Sequence, residues 1–493
     1  MNLGEMIPHW LSKRAQLSPQ KIAIEAESGE SITFFELEKR SKCFAEKLAS
    51  LDIEKGSCVG ILSTNEISMV VAIHAISYLG AIAVLLNTRL TEEELIYQVT
   101  DAEVSLILTC DDYVSHAQQM DFHVPVRSFS EVNQLLKQQV QLHQEINLEA
   151  DFTIIYTSGT TGFPKGVVHT YGNHWSSAVG SALNLGLHEN DKWLAMLPIF
   201  HVSGLSIFMK SVIYGMPVLL FKKFQVEKVN QAIIEQGVTI VSVVTVMLQR
   251  LIDSLGSGRY PTSLRCMLLG GGPVPKPLLE KAKDHQVPVF QSYGMTETSS
   301  QIVTLSPSDA FRKIGSAGKP LFTAQLKIID PDVDGVGEIY VKGPMVTKEY
   351  FNNRSATEAA FRDHWLATGD LGYVDEEGFL YVMDRRSDLI ISGGENVYPA
   401  EVEAVLTGMD HIQEVGVVGV DDDAWGQVPV AFVVKTKASV TANEMIDYAQ
   451  QRLAKYKVPK RIYFVPQLPR NASNKLMRRE LLKWLSFDDL RRC

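Results

Sequence analysis

The stretch Thr157-Ser158-Gly159-Thr160-Thr161-Gly162-Phe163-Pro164-Lys165-Gly166 concentrates three glycines, four hydroxyls, one proline and one lysine. Glycines let backbone N–H groups approach a ligand closely, hydroxyls add donors, and a lysine brings a mobile positive charge. That is the chemistry of a loop that grips a polyphosphate. The Walker spacing, with glycine directly before a Lys-Ser/Thr pair, is absent. A flexible surface turn is the plain alternative for a glycine-rich stretch. The apolar run 152–155 before the loop reads as a buried strand.

The elements around this loop alternate. Residues 21–25, 58–62, 81–86 and 104–108 read as strands, and 66–79 and 91–99 as helices. Thr33-Phe34-Phe35-Glu36 is a capping-box pattern that opens a helix to about Leu48. Glu92, Glu93 and Glu94 fall in a first helical turn, where negative charge suits the helix dipole. The alternation recurs over 192–290, so a mostly parallel sheet covered by helices is expected. Beyond about Phe322 the texture changes. Residues 324–329 and 337–341 flank a Pro/Asp/Gly turn and read as a hairpin, followed by a strand at 378–383. A distinct unit begins after Arg386, with a helix near 400–406, strands at 414–420 and 428–436, and a helix near 442–455. The expected fold class is α/β: a large N-terminal domain of mostly parallel, helix-covered sheets with a small β-subdomain (1–386), then a small mobile α+β C-terminal domain (387–493).

Composition bounds the function. A chain of 493 residues exceeds one core, so two or more domains are expected. A net charge of −10 argues against a broad basic surface for nucleic acid. The basic clusters Lys455-Tyr456-Lys457, Lys460-Arg461 and Arg478-Arg479 read as solvated faces or as contacts to an anionic ligand. Cys43, Cys58, Cys110, Cys266 and Cys493 show no paired spacing, which suits a reducing compartment, here the cytoplasm. The most apolar window, 69–86, is interrupted by His74, Ser77 and Gly80 and reads as core rather than as a membrane span.

Several further motifs occur in a fixed order: Leu197-Pro198-Ile199-Phe200-His201, Gly270-Gly271-Gly272-Pro273, and Gln291-Ser292-Tyr293-Gly294-Met295-Thr296-Glu297. Thr368-Gly369-Asp370, Asp384-Arg385, Ser392-Gly393-Gly394-Glu395-Asn396 and a late lysine, Lys475, follow. With the opening loop, this ordered set resembles the adenylate-forming superfamily of acyl-CoA synthetases, peptide-synthetase adenylation domains and firefly luciferase. The compact length and the phrases around Phe200 to Ser206, Arg385 to Asn396 and Trp425 to Pro429 are similar to acyl-CoA ligases that take an aromatic dicarboxylate. A medium-chain fatty-acyl or benzoate-type ligase would share the same nucleotide residues.

The resemblance implies two half-reactions. A carboxylate attacks the α-phosphate of ATP to give an acyl-adenylate, and CoA thiol then displaces AMP. Lys475 is implied as the charge between carboxylate and α-phosphate, with Asn474 where the family usually has glycine. Thr157, Ser158, Gly159, Thr160, Thr161 and Lys165 would hold the pyrophosphate side. Glu297 would bind Mg²⁺ and Thr296 a phosphate oxygen. Gly270, Gly271, Gly272 and Tyr293 would meet adenine, and Asp370 and Arg385 the ribose. The C-terminal domain would turn about Ser387, withdrawing Lys475 and bringing Ser392, Gly393 and Gly394 to the CoA side. His201 would line or gate the acyl pocket. Lys210, in an otherwise apolar segment, either snorkels to solvent or pairs with a second substrate carboxylate. The partners expected are small molecules, with a homodimer as the candidate assembly.

Overall fold

The computed structural model describes residues 5–157, 164–270, 276–333, 335–385, 389–436, 440–469 and 476–485. Two parallel-cored sheets form the larger part. The first runs Lys165–Thr170, Asp151–Thr157, Ile82–Leu85, Cys58–Leu62, Val104–Thr109, Val126–Ser128, with every pairing parallel except the first. The second has nine strands, of which the central six, from Val289–Met295 across to Ile22–Ala26, are mutually parallel, and its margins are antiparallel.

One buried layer joins the sheets. Helix Ile67–Leu79 is apolar on nearly every side, and all its residues but Ser68 are buried. A helix of that kind cannot face water and must sit between two apolar surfaces. Its side chains share a core with Val59 and Ile61 of one sheet and Ile24 and Val218 of the other. The apolar window at 69–86 is therefore core, and among the described residues no helix is long and apolar enough to cross a membrane. The capping box at Thr33 is present, and Thr91 with Glu94 forms another.

Residues 325–385 build an antiparallel subdomain, including the expected hairpin Gln325–Ile329 with Gly337–Lys342. The C-terminal domain is a second mixed sheet with helices Pro399–Thr407 and Ala442–Gln450. The latter helix is shorter than the sequence pattern predicts. It stops because the following backbone has other partners: the Arg452 carbonyl meets Thr91 and the Ala454 amide donates to Glu94 of the larger domain. The basic clusters also divide. Lys460 and Arg461 are exposed, whereas the Lys457 side chain is only 4% exposed and pairs with carboxylates, so the solvated-face reading fails there. The expected boundary at Arg386–Ser387 lies outside the described residues.

Candidate active site

The carboxyl ends of parallel strands leave their side chains and backbone amides facing a crevice, the usual ligand position in open α/β sheets. Here Val244, Gly270, Ser292 and Gly294 through Thr296 meet such a cleft, which encloses about 1480 Å³ of space open to solvent. Helix Val202–Tyr214 supplies one wall, and Gly394, Glu395 and Asn396 of the C-terminal domain close another.

The residues expected on the nucleotide side are assembled by strand pairing. Asp370 lies opposite Arg385 in an antiparallel ladder, which brings two motifs to one spot. Asp370 is buried, and the Tyr293 hydroxyl donates to its Oδ2 at 2.7 Å. Tyr293 itself packs among Ile302, Val303 and Ile339, so its ring supports Asp370 from the core. Thr157 and Lys165 face each other at the ends of the hairpin that carries the opening loop. Lys165 Nζ lies 5.1 Å from the Tyr350 ring centre, and the Tyr350 hydroxyl donates to Glu297 Oε1 at 2.9 Å. Tyr350 therefore stands between the lysine and the carboxylate. Behind Thr296, its carbonyl accepts from His169 Nε2 at 2.6 Å. Burial lowers the His169 pKa to about 4, so the ring is a neutral donor.

Glu297 fits a magnesium ion. Mg²⁺ takes hard oxygen donors, keeps most of its waters, and needs only one or two carboxylates beside substrate phosphates. The Glu297 carboxylate is half-buried and oriented by Tyr350.

The acyl side is built on one helix face. Ser203, Ser206 and Lys210 follow helical spacing and all line the cleft. Lys210 is 1% exposed, so it does not snorkel. Its ammonium lies 5.5 Å from the centre of the Trp193 ring, and no described carboxylate pairs with it. Burial pulls its pKa from 10.5 to about 8. Gln301 also lines the cleft, and among the described residues neither its amide nitrogen nor its oxygen has a hydrogen-bond partner.

At the mouth, Gly393 and Gly394 join two short strands with φ of 60° and 86°. Both positive angles match a tight hairpin turn, which glycine adopts without strain. The turn presents Glu395, 3% exposed, to the larger domain. Glu395 meets His201 Nε2 at 2.9 Å and Arg89 Nη1 at 2.6 Å. Burial alone would raise the Glu395 pKa; His201 and Arg89 outweigh it and bring the carboxyl to about 2. His201 therefore lies where cleft and C-terminal domain meet.

Ser158, Gly159, Thr160, Thr161, Gly271, Gly272, Ser387 and Lys475 lie outside the described residues, as does the Arg385 side chain. Sequence reasoning assigned no role to Tyr350, Gln301, Arg89 or Lys457. Glu395 carried a signal, a charged residue inside a Gly-Gly turn motif, and Lys457 one only as part of a basic cluster.

Comparison with known proteins agrees with this geometry. Residues 11–351 match the AMP-binding enzyme family and residues 401–475 the AMP-binding enzyme C-terminal domain. The chain is 56% identical over 486 residues to a 2-succinylbenzoate–CoA ligase of Oceanobacillus iheyensis, covering 98% of this chain and 100% of that one. It superposes on a double mutant of o-succinylbenzoate CoA synthetase from Bacillus subtilis, bound to its product analogue, with TM-score 0.92 and 50% identity over 97% of this chain and 98% of that one. The same enzyme in complex with its acyl-adenylate intermediate gives TM-score 0.75 at equal identity and coverage. At equal identity and coverage the difference in score reflects arrangement rather than sequence, and this chain's arrangement is more similar to the first. By its motifs, its cleft and its matched length, the chain belongs to the AMP-binding enzyme family.

Proposed function

We infer that this protein is an AMP-forming ligase that joins o-succinylbenzoate to coenzyme A through an acyl-adenylate, a step the resemblance places in menaquinone biosynthesis. The observation that carries the substrate assignment is Lys210, a buried ammonium on the cleft wall with no described carboxylate partner. An uncompensated buried charge is costly, and a substrate carboxylate placed there relieves that cost. o-Succinylbenzoate has two carboxylates, one to activate and one to recognise. A fatty acid has no second carboxylate to offer. Gln301 is proposed to meet the substrate's ketone or its recognised carboxylate, and His201 to shape the pocket mouth.

In the first half-reaction a carboxylate oxygen bonds to the α-phosphorus and pyrophosphate leaves. Both reactants are anionic, so the protein's task is electrostatic and positional. Lys475 is the proposed charge between them, and Thr157, Ser158, Gly159, Thr160, Thr161 and Lys165 the proposed pyrophosphate contacts. Glu297, steadied by Tyr350, would hold Mg²⁺, which neutralises phosphate charge when bound. Thr296 is proposed to donate to a phosphate oxygen, and Asp370, braced by Tyr293, to accept from the ribose diol beside Arg385. Gly270, Gly271 and Gly272 are proposed to lie along adenine. In the second half-reaction the CoA sulfur bonds to the acyl carbon and AMP leaves. Ser392, Gly393 and Gly394 are proposed to border the CoA path, with the domain division at 386–387 and the hinge at Ser387.

Pyrophosphate release measured over a panel of carboxylates, with and without CoA, tests the reading. Release with o-succinylbenzoate, and thioester formation only when CoA is present, is expected. Release with long-chain acids but not o-succinylbenzoate would overturn it. Cytoplasmic location and a homodimer belong to the same proposal, the latter checked by sedimentation.

A further inference from the structure

The Lys457 ammonium is enclosed by carboxylates from both domains. It lies 2.5 Å from Glu94 Oε1 and 2.7 Å from Glu401 Oε1. Glu401 belongs to the C-terminal domain with Lys457, whereas Glu94 sits in helix Glu92–Asp101 of the larger domain. The three side chains are 4%, 9% and 6% exposed for Lys457, Glu94 and Glu401. Burial by itself disfavours the lysine's charge, but the carboxylates of Glu401 and Glu94 outweigh it and hold the ammonium above its ordinary pKa.

Glu94 has two duties. Its Oε2 accepts from Thr91 N at 2.8 Å and Thr91 Oγ1 at 2.9 Å, which caps its own helix. The same oxygen accepts from the Ala454 amide at 3.1 Å, while Oε1 takes Lys457. One carboxylate thus joins a local helix cap to two donors on the other domain, 360 and 363 residues away in sequence. Without docking, Lys457 still has Glu401, but Glu94 keeps only its cap. The cross-domain contacts belong to the docked arrangement, in which the chain superposes with TM-score 0.92 on the product-analogue complex of the Bacillus subtilis enzyme.

We propose that Glu94 is a positioning residue for the thioester-forming half-reaction: it receives Lys457 and the Ala454 amide and holds the C-terminal domain where the Gly393-Gly394 turn and Glu395 close on the cleft. The proposal rests on the CoA-ligase reading above. Glu94 does not touch the reacting atoms and acts through the orientation of the domain that brings the turn. Its contact adjoins the Glu395–His201–Arg89 cluster: Lys457 also lines the cleft and its charge reaches Glu395, whereas Glu94 receives Lys457 from behind the cleft wall.

Glu94→Gln tests this in the full chain. Glutamine serves the same N-terminal helix cap, so helix Glu92–Asp101 is retained while the cross-domain charge partner of Lys457 is lost and Glu401 remains. Three quantities are compared with the parent: o-succinylbenzoate-dependent exchange of pyrophosphate into ATP, single-turnover transfer from acyl-adenylate to CoA, and the distance between one spin label on helix Val226–Glu235 and one on helix Ala442–Gln450. Transfer is expected to slow by about 5- to 150-fold, the usual span of a coupling free energy between two sites. Exchange is expected to keep its rate, and the label distances to move away from the docked value. Equal slowing of both half-reactions, unchanged transfer, or unchanged distances would overturn the proposal. If the parent itself adenylates no carboxylate, the ligase reading fails, and the label distances still decide whether Glu94 holds the domain.

Discussion

Replacing Lys210 by methionine removes a buried charge while keeping the apolar stem. Burial disfavours the charged form and pulls the Lys210 pKa from 10.5 to about 8. At about 1.4 kcal/mol per tenfold, that is about 3 kcal/mol at neutral pH. The folded pKa lies below the unfolded one, so the unfolded chain binds more protons between pH 8 and 10.5, and stability due to this group rises with pH across that window. Lys210→Met is therefore expected to be more stable than the parent by up to about 3 kcal/mol at pH 7, with the gain vanishing by about pH 10.5. Denaturant unfolding at several pH values reads this directly. The same variant loses the partner of the substrate's second carboxylate. A hydrogen bond to a charged group contributes about 1.5–3 kcal/mol, so kcat/KM for o-succinylbenzoate is expected to fall by about 10- to 150-fold. An aryl acid of similar shape that lacks the second carboxylate should lose nothing. Equal losses for both acids, or a variant less stable than the parent at pH 7, would refute the reasoning.

Other outcomes follow from the same geometry. For the parent, kcat/KM for o-succinylbenzoate should decline above about pH 8 as Lys210 loses its proton, while the KM for ATP stays level; pH–rate profiles for the two substrates check this. Tyr293→Phe removes a donor that orients the Asp370 carboxylate and should raise the KM for ATP by about 2- to 10-fold, less than the full contribution of a hydrogen bond to a charged group because Asp370 itself remains, without altering discrimination between acids. Gly204→Ala would place a Cβ 2.1 Å from the Pro198 carbonyl oxygen, so it should destabilise the fold by about 1–3 kcal/mol, read as a lower thermal midpoint. Glu395→Gln weakens the link to His201 and Arg89 and should slow transfer to CoA more than adenylation, by about 10-fold, in single-turnover assays.

The amino-acid sequence by itself determined the alternating elements, the capping box at Thr33 and the ordered motifs, because each depends on residues within a turn or two of one another. The proposed nucleotide contacts are of this kind: glycines, hydroxyls and carboxylates at motif positions declare their chemistry locally. The pairing of Asp370 with Tyr293 and Arg385, and of Glu297 with Tyr350, needed strand register, which short-range patterns do not contain. Whether Lys210 reached solvent or stayed buried depended on Trp193 and the surrounding core, and only the packed structure decided it. The same holds for Lys457, which looked like one charge in a basic surface cluster. Its partner Glu94 is 363 residues away, and the two meet only because one domain docks on the other. Burial and long-range charge pairing are properties of the assembled chain: a charge's environment is set by whatever topology places around it, and no local window of sequence carries that information.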